Sequence, residues 1–436
     1  MTEKISDWNF DGEGSVLDSI RSSIGNFIKY MRGQSSLKQS FGAIFLSIIT
    51  DVVAGLFLGK LEETLLLLPG LIILIPGAMS MRGNIFGALG SRLGTALHMK
   101  RIDRFTLKSG YIKNNIYSSI TLTIFTSIAL AFIARALLLI FGIKSAGLLD
   151  LMLISFIGGI ASGIILLFFT FGIAFIADKR KWDPDNVTSP LITAMGDFFT
   201  IPALAIAAGF VLGVSEFYIM LMSVMVAVVA IINLVMVFVA ESSHDALVFR
   251  EGSYKTIVIQ SVLVMLFAGT LSAAAGLLME SNLSIILAVP IILTLIPAFL
   301  EEGGNIGSIL SSRLSTQLNS GRLDAKLKIN EEIKKEIINS YILSIMVFPT
   351  VSVLVYFIGG FIGIGGIALP KLVFSATVAG LILTTIVIAV SFFVSIVSYR
   401  YKINPDNVTI PLIAGTADLI GVFTVLHVMG LLGILA

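Results

Sequence analysis

The segment PDNVTSPLITAMGD at residues 184–197 returns as PDNVTIPLIAGTAD at residues 405–418. The same displacement holds elsewhere. Pro69, Pro76, Gly83, Asn84, Ser91, Arg92, Thr95 and Asp103 match Pro290, Pro297, Gly304, Asn305, Ser312, Arg313, Thr316 and Asp324. A gapless offset over such a length marks internal duplication. The chain reads as two copies of one unit, so each candidate residue is sought twice.

Each copy is apolar. Of 436 residues, 56% are hydrophobic and 13% charged, with a mean hydropathy of +0.99. A soluble protein needs far more charge to cover its surface, so that class is excluded. A net charge of +2 is too small for a nucleic-acid footprint. The absence of cysteine rules out disulfides and thiolate chemistry. No signal-peptide pattern precedes the first long apolar run. A bilayer core about 30 Å thick needs about 20 apolar residues per helix. Eleven segments qualify: 41–59, 63–85, 114–142, 148–177, 187–213, 216–240, 256–279, 284–310, 337–362, 369–398 and 408–434. The expected class is an all-α polytopic membrane protein.

Cytoplasmic loops collect Lys and Arg. Lys100, Arg101, Arg104, Lys108 and Lys113 follow the second span, Lys179, Arg180 and Lys181 the fourth, Arg313, Arg322, Lys326 and Lys328 the eighth, and Arg400 and Lys402 the tenth. All share one face when the N-terminus is cytoplasmic and the C-terminus outside, a parity that eleven spans satisfy. The expected layout is an amphipathic cytoplasmic segment (1–38), a first five-helix repeat (39–214), a linking helix and loop (215–254) and a second five-helix repeat (255–436). The sixth span restores direction between odd-numbered units. The repeats then run parallel, about a pseudo-two-fold along the membrane normal, and transporters place their sites at such an interface.

Ionisable groups inside spans cost about 2.5–3.5 kcal/mol each on insertion scales, so each is a functional candidate. Asp197 lies eleven residues beyond Asn186, where the fifth helix leaves the cytoplasmic loop. At 1.5 Å per residue it sits roughly 16 Å deep, about mid-membrane. Asp418 has the same depth by the same count. Two such carboxylates repel unless a cation intervenes, and hard oxygen ligands suit Mg2+ or Ca2+. Mg2+ sheds water reluctantly, so a largely hydrated ion is expected between them. Ser189 and Thr193 share the face of Asp197, whereas the second copy has Ile410 and Ala414 there. Asp51 is also mid-span, but its counterpart is Ser272. Each acid has a bland alternative, a local hydrogen bond within its own half.

The paired prolines are expected to interrupt the second and eighth spans ahead of Gly83-Asn84 and Gly304-Asn305. Glu301 and Glu302 precede the glycines in one copy, and Ser80, Met81 and Arg82 in the other. These residues are candidates to tune the cytoplasmic half of a path, or a charge cluster at the membrane edge. The Pro-Asp-Asn-Val-Thr runs read as helix N-caps.

With G-N-x6-S-R-L at 83–93 and 304–314, this repeated pattern resembles the MgtE-type magnesium transporters, and more closely their fused two-repeat solute-carrier relatives. The likeness covers the chain beyond residue 38. It implies a five-helix unit per half, a path where the halves meet, Mg2+ as cargo rather than cofactor, ion-binding at Asp197 and Asp418, and lining at Ser189 and Thr193. Residues 1–38 are too few for the CBS sensor region of bacterial members. The resemblance leaves channel or exchanger open, with Na+ or H+ as a coupling ion. Two readings compete with it: an intramembrane aspartyl protease using the two Asp residues as a dyad, and an organic-ion carrier with Arg82 as counter-charge.

Overall fold

The computed structural model describes residues 35–98, 109–180, 189–240, 253–401 and 405–435. The amphipathic segment expected before residue 35, most of the basic loops after the second and fourth spans, and residues 184–188 lie outside them. Among the described residues every element is helical: α1 Ser35–Gly59, α2 Glu62–Leu67, α3 Leu71–His98, α4 Gly110–Ile140, α5 Leu148–Arg180, α6 Ser189–Leu212, α7 Glu216–Val239, α8 Tyr254–Ser281, α9 Leu283–Leu287, α10 Ile291–Asn319, α11 Glu331–Phe361, α12 Leu369–Arg400 and α13 Pro405–Leu431. The starts of α4 and α5 map onto those of α11 and α12 by the same offset that relates the sequence motifs.

Nine of these helices are long and apolar enough to cross a membrane: α3 to α8 and α11 to α13. The chain is a multi-pass membrane protein. Two long helices fall outside the nine. The apolar part of α1, Ile44–Gly59, is shorter, and α10 carries Glu301, Glu302 and Arg313. Helix α7 exposes Phe217, Met220, Met225 and Phe238, as a surface facing lipid would.

The proline signals resolve unequally. Pro69 marks a true break between α2 and α3, where Gly70 takes φ 92°, a left-handed turn that glycine adopts without strain. The break satisfies its own backbone: the Ala146 amide donates to the Pro69 carbonyl at 2.9 Å, and the Gly70 amide donates to Glu280 Oε1 at 3.1 Å. Pro290 stands directly before α10 at the matching break. Pro76 and Pro297, by contrast, lie inside α3 and α10, which continue through both Gly-Asn pairs. A proline removes one ladder bond, and packed neighbours in a membrane bundle tolerate that loss. The expected interruption is therefore displaced toward the start of each span.

Helices α3 to α6 form one bundle and α10 to α13 another, and α1 and α8 stand exchanged between them. Helix α1 packs on α10 and α11 as well as α6. Helix α8 packs on α3 and α4 as well as α13. A pair of glycines at equivalent positions of the two copies permits this. A Cβ on Gly55 would collide with the Thr294 carbonyl, and one on Gly276 would lie 2.6 Å from Ile73 Cα. Small residues let membrane helices approach to backbone contact. Direct contact between the bundles is sparse, so α1 and α8 close the sides of the seam.

Candidate functional site: an acid cluster at the seam

Helix α6 carries Asp197 and α13 carries Asp418 to the same small cavity, with a volume of about 20 Å³, room for about one water molecule. Its walls come largely in duplicated pairs: Met79 with Leu300, Ser80 with Glu301, Thr193 with Ala414, and Asp197 with Asp418. Asn84 and Gly304 complete it. Five of the candidate residues therefore line one space: Asp197, Asp418, Thr193, Asn84 and Glu301. The backbone of Ser189 begins α6, and its side chain lies outside the described residues.

The two aspartates are held differently. Asp418 accepts a short hydrogen bond from Ser272 Oγ, so α8 orients it, and Ser80 of α3 lines the same cavity. Asp197 is 1% exposed, and its Oδ2 has no hydrogen-bond partner among the described residues. An unpaired carboxylate oxygen buried at that depth is costly without a cation or donor.

Behind this cavity lies a second group. Asp51 Oδ2 accepts from Ser47 Oγ at 2.9 Å. Asn305 Nδ2 donates to Glu302 Oε2 at 3.1 Å and reaches Ser47 Oγ at 3.4 Å. Asp51 and Glu302 lie close enough to act on each other electrostatically. Asp51, Glu301, Glu302 and Asp418 all lie within electrostatic range of Asp197. The ion pairs among the described residues join Arg313 to Glu336, Lys326 to Asp324 and Lys334 to Glu331; none reaches this cluster. Nor do three or more acidic or histidine side chains among the described residues close up tightly enough to grip a bare ion.

Arg82, the nearest basic residue along α3, turns away. It is fully buried, and its guanidinium donates to Thr126 Oγ1 at 3.2 Å and to Ser127 Oγ. Arg92 and Arg313, equivalent in the two copies, tie α3 to α4 through Asn115 and α10 to α11 through Glu336.

Sequence reasoning passed over Ser47 and Ser272 as hydrogen-bond partners of the acids. A signal for one of them existed: Ser272 stands where the other copy has Asp51. A hydroxyl opposite a carboxylate in a duplicated site is a natural partner for the surviving acids.

A family model described as a divalent cation transporter, MgtE, matches the chain twice, over residues 75–207 and 296–428. Both ends of the second match are displaced from the first by the offset of the repeated motifs. The chain is 22% identical to rat solute carrier family 41 member 3 over 406 residues, 87% of this chain and 83% of that protein. It is 24% identical to human solute carrier family 41 member 2 over 302 residues, 67% of this chain and 48% of that protein. The chicken member 2 is 26% identical over 266 residues, 58% of this chain and 43% of that protein. The chain thus spans about half the length of the member 2 proteins. No solved structure matches.

Proposed function

Because the chain belongs to the MgtE family of divalent cation transporters, we propose that it carries Mg2+ across the bilayer along the seam between its halves, held at Asp197 and Asp418. One observation carries this reading. The aspartates of the two motif copies reach one enclosed cavity, and no basic side chain among the described residues pairs with them. A dication between them offsets their repulsion.

In this reading the protein has eleven spans. Helices α1 to α6 and α8 to α13 are two parallel five-helix repeats about a pseudo-two-fold along the membrane normal, each with its second helix broken at a proline. Helix α7 restores direction between them. The basic loops set the N-terminus in the cytoplasm and the C-terminus outside.

The cargo enters largely hydrated, because Mg2+ gives up water slowly and tolerates few direct carboxylates. Asp197 offers its free oxygen, and Asp418 presents a carboxylate oriented by the Ser272 hydroxyl. Glu301, Thr193, Ser189 and Asn84 serve the shell of water. A 20 Å³ cavity is too small for a hydrated ion, so passage requires the lining helices α3, α6, α10 and α13 to move apart. The aspartyl-protease and organic-carrier readings gain nothing from a cavity lined by three acids.

The test is ion flux into proteoliposomes with Mg2+, Ca2+, Mn2+ and Na+ gradients imposed in turn. Asp197→Asn and Asp418→Asn should each lower Mg2+ flux by at least about tenfold, the scale of an interaction of about 1.4 kcal/mol. Undiminished Mg2+ flux in both variants would overturn the reading, as would cleavage of a peptide substrate by the wild type.

A further inference from the structure

Helices α8 and α13 meet closely at the central site. A Cβ on Gly415 would lie 2.7 Å from the Ala268 carbonyl oxygen, and Ser272 bonds Asp418 one turn further on. Toward their C-terminal ends the same two helices part. A second cavity of about 380 Å³ lies there, beside α9, within the range of about 300–1,000 Å³ usual for ligand pockets. Its walls include Leu278, Phe423, Leu426 and Leu431, with Asn282 and His427, and no Asp, Glu, Lys or Arg lines it. Phe423 and Leu431 are exposed, so the cavity opens toward lipid. Both polar residues present acceptors. His427 Nδ1 donates to the Phe423 carbonyl at 2.9 Å, which leaves Nε2 of the neutral ring to accept. Asn282 Nδ2 donates to the Leu278 carbonyl at 2.8 Å and to Ser281 Oγ at 3.1 Å, which leaves Oδ1. The first half has none of this. Leu61 and Ile206 stand for Asn282 and His427, and Phe57 stands for Leu278, its ring edge-on to Phe198 of α6 at 6.4 Å.

We propose that this cavity binds an uncharged membrane amphiphile with one acyl chain and a hydroxyl head, such as a monoacylglycerol, whose hydroxyls donate to His427 and Asn282 while its chain lies along the leucines and Phe423. The absence of ionised side chains selects an uncharged head, because a charged one would lie unpaired against apolar walls. Two acceptors without a donor between them select a head that donates. The volume, near the low end for ligand pockets, selects one chain over two. Occupancy reaches the central site through the backbone. His427 lies nine residues beyond Asp418 on α13, about 13 Å along the helix. A ligand wedged between α8 and α13 fixes the angle of their crossing, and α13 is one of the helices that move when the cavity widens. The pocket takes its ligand whatever the cargo; only the slowing of transport rests on the divalent-cation reading.

Photolabelling of the full chain in phosphatidylcholine nanodiscs, with a monoacylglycerol carrying a diazirine in its chain, tests it. Labelling should saturate and fall on peptides of α8, α9 and α13. Unlabelled monoacylglycerol should compete better than cholesterol or lauric acid. His427→Ala should weaken binding by about three- to tenfold, the scale of one lost hydrogen bond, and His427→Gln, which restores an acceptor, should recover it. Leu278→Phe installs the aromatic ring of the first half and should abolish saturable labelling. Where that variant does not elute as a single folded species, Gly430→Leu, built into open space on the wall of the same cavity, should do the same. Labelling that never saturates, or that spreads equally over α7, would overturn the proposal as general lipid contact. Stronger competition by cholesterol or equal competition by lauric acid would overturn the single chain or the hydroxyl head. In proteoliposomes, saturating monoacylglycerol should slow Mg2+ flux of the wild type at least about fivefold, the low end of an allosteric coupling, and leave Leu278→Phe unaffected. Flux that ignores the bound ligand would overturn the wedge, whereas a wild type without Mg2+ flux refutes the central-site reading and leaves the labelling result standing.

Discussion

In the first half, Arg82 packs against Thr126 and Ser127; the matching positions of the second half are Gly303, Val347 and Phe348. Gly159 lies against the Arg82 guanidinium, and Gly380, its counterpart in the second half, lies against the Phe348 ring, which packs tilted against Phe299 with centroids 4.7 Å apart. One bundle thus encloses a cation among hydroxyls where the other encloses an aromatic pair. On the cavity side the contrast reverses. Ser80, Met81 and Ser272 are neutral, and their counterparts Glu301, Glu302 and Asp51 are acids. The exchange of α1 gathers all three of those acids onto the wall built by α10. Duplication kept the aspartate pair and let the surroundings diverge, giving a site with one charged wall and one hydroxyl wall. Two identical subunits related by a true two-fold would have matching walls.

The contrast rests on the helix exchange, and the largest expected effect removes it. Gly55→Ala and Gly276→Ala each push a methyl group into a neighbouring backbone, so each should lower stability by about 2–3 kcal/mol, measured as the thermal midpoint of the purified protein. Gly42→Ala, with open space around it, is the control and should not destabilise. A silent Gly55→Ala would refute the close crossing of α1 and α10.

A smaller effect concerns Arg82. A buried cation with only neutral partners carries an uncompensated desolvation cost, and apolar replacements of similar volume at buried charged sites are often neutral or stabilising. Arg82→Met should therefore unfold within about 1 kcal/mol of the wild type or above it, while Arg82→Ala, which leaves a cavity, should cost about 2–5 kcal/mol. Equal damage from both would show that the charge itself stabilises the first half, through the field of the acids across the seam.

The smallest effect makes the second half more like the first. Ser311 and Ser395 share a hydrogen bond of 3.0 Å where the first half has Gly90 and Ala174. Ser395→Ala should cost about 0.6 kcal/mol, the usual worth of such a bond between membrane helices, read from the same thermal transition.

Much of this molecule was legible in one dimension. Span positions followed from runs of apolar residues, and every expected span overlaps a helix of the structure. The constant offset between the copies led to Asp197 and Asp418, and both line the cavity. Pro69 and Pro76 look alike in sequence, yet only Pro69 ends a helix. The difference lies in what receives the freed backbone groups: Ala146 and Glu280 wait at the break from distant parts of the chain. Asp51 was equally opaque. Its counterpart is a serine, and its neighbour Glu302 is far along the chain, on a helix of the other half.

The sequence by itself determined which segments are apolar, which of them carry acids and how often the motif returns, because hydropathy and periodicity are local properties of the chain. Only the tertiary structure decided which acids meet. That depends on where two backbones can touch, at Gly55 on Thr294 and at Gly276 on Ile73. Composition does not encode such a crossing, since the lipid that a helix leaves is as apolar as the helix it joins.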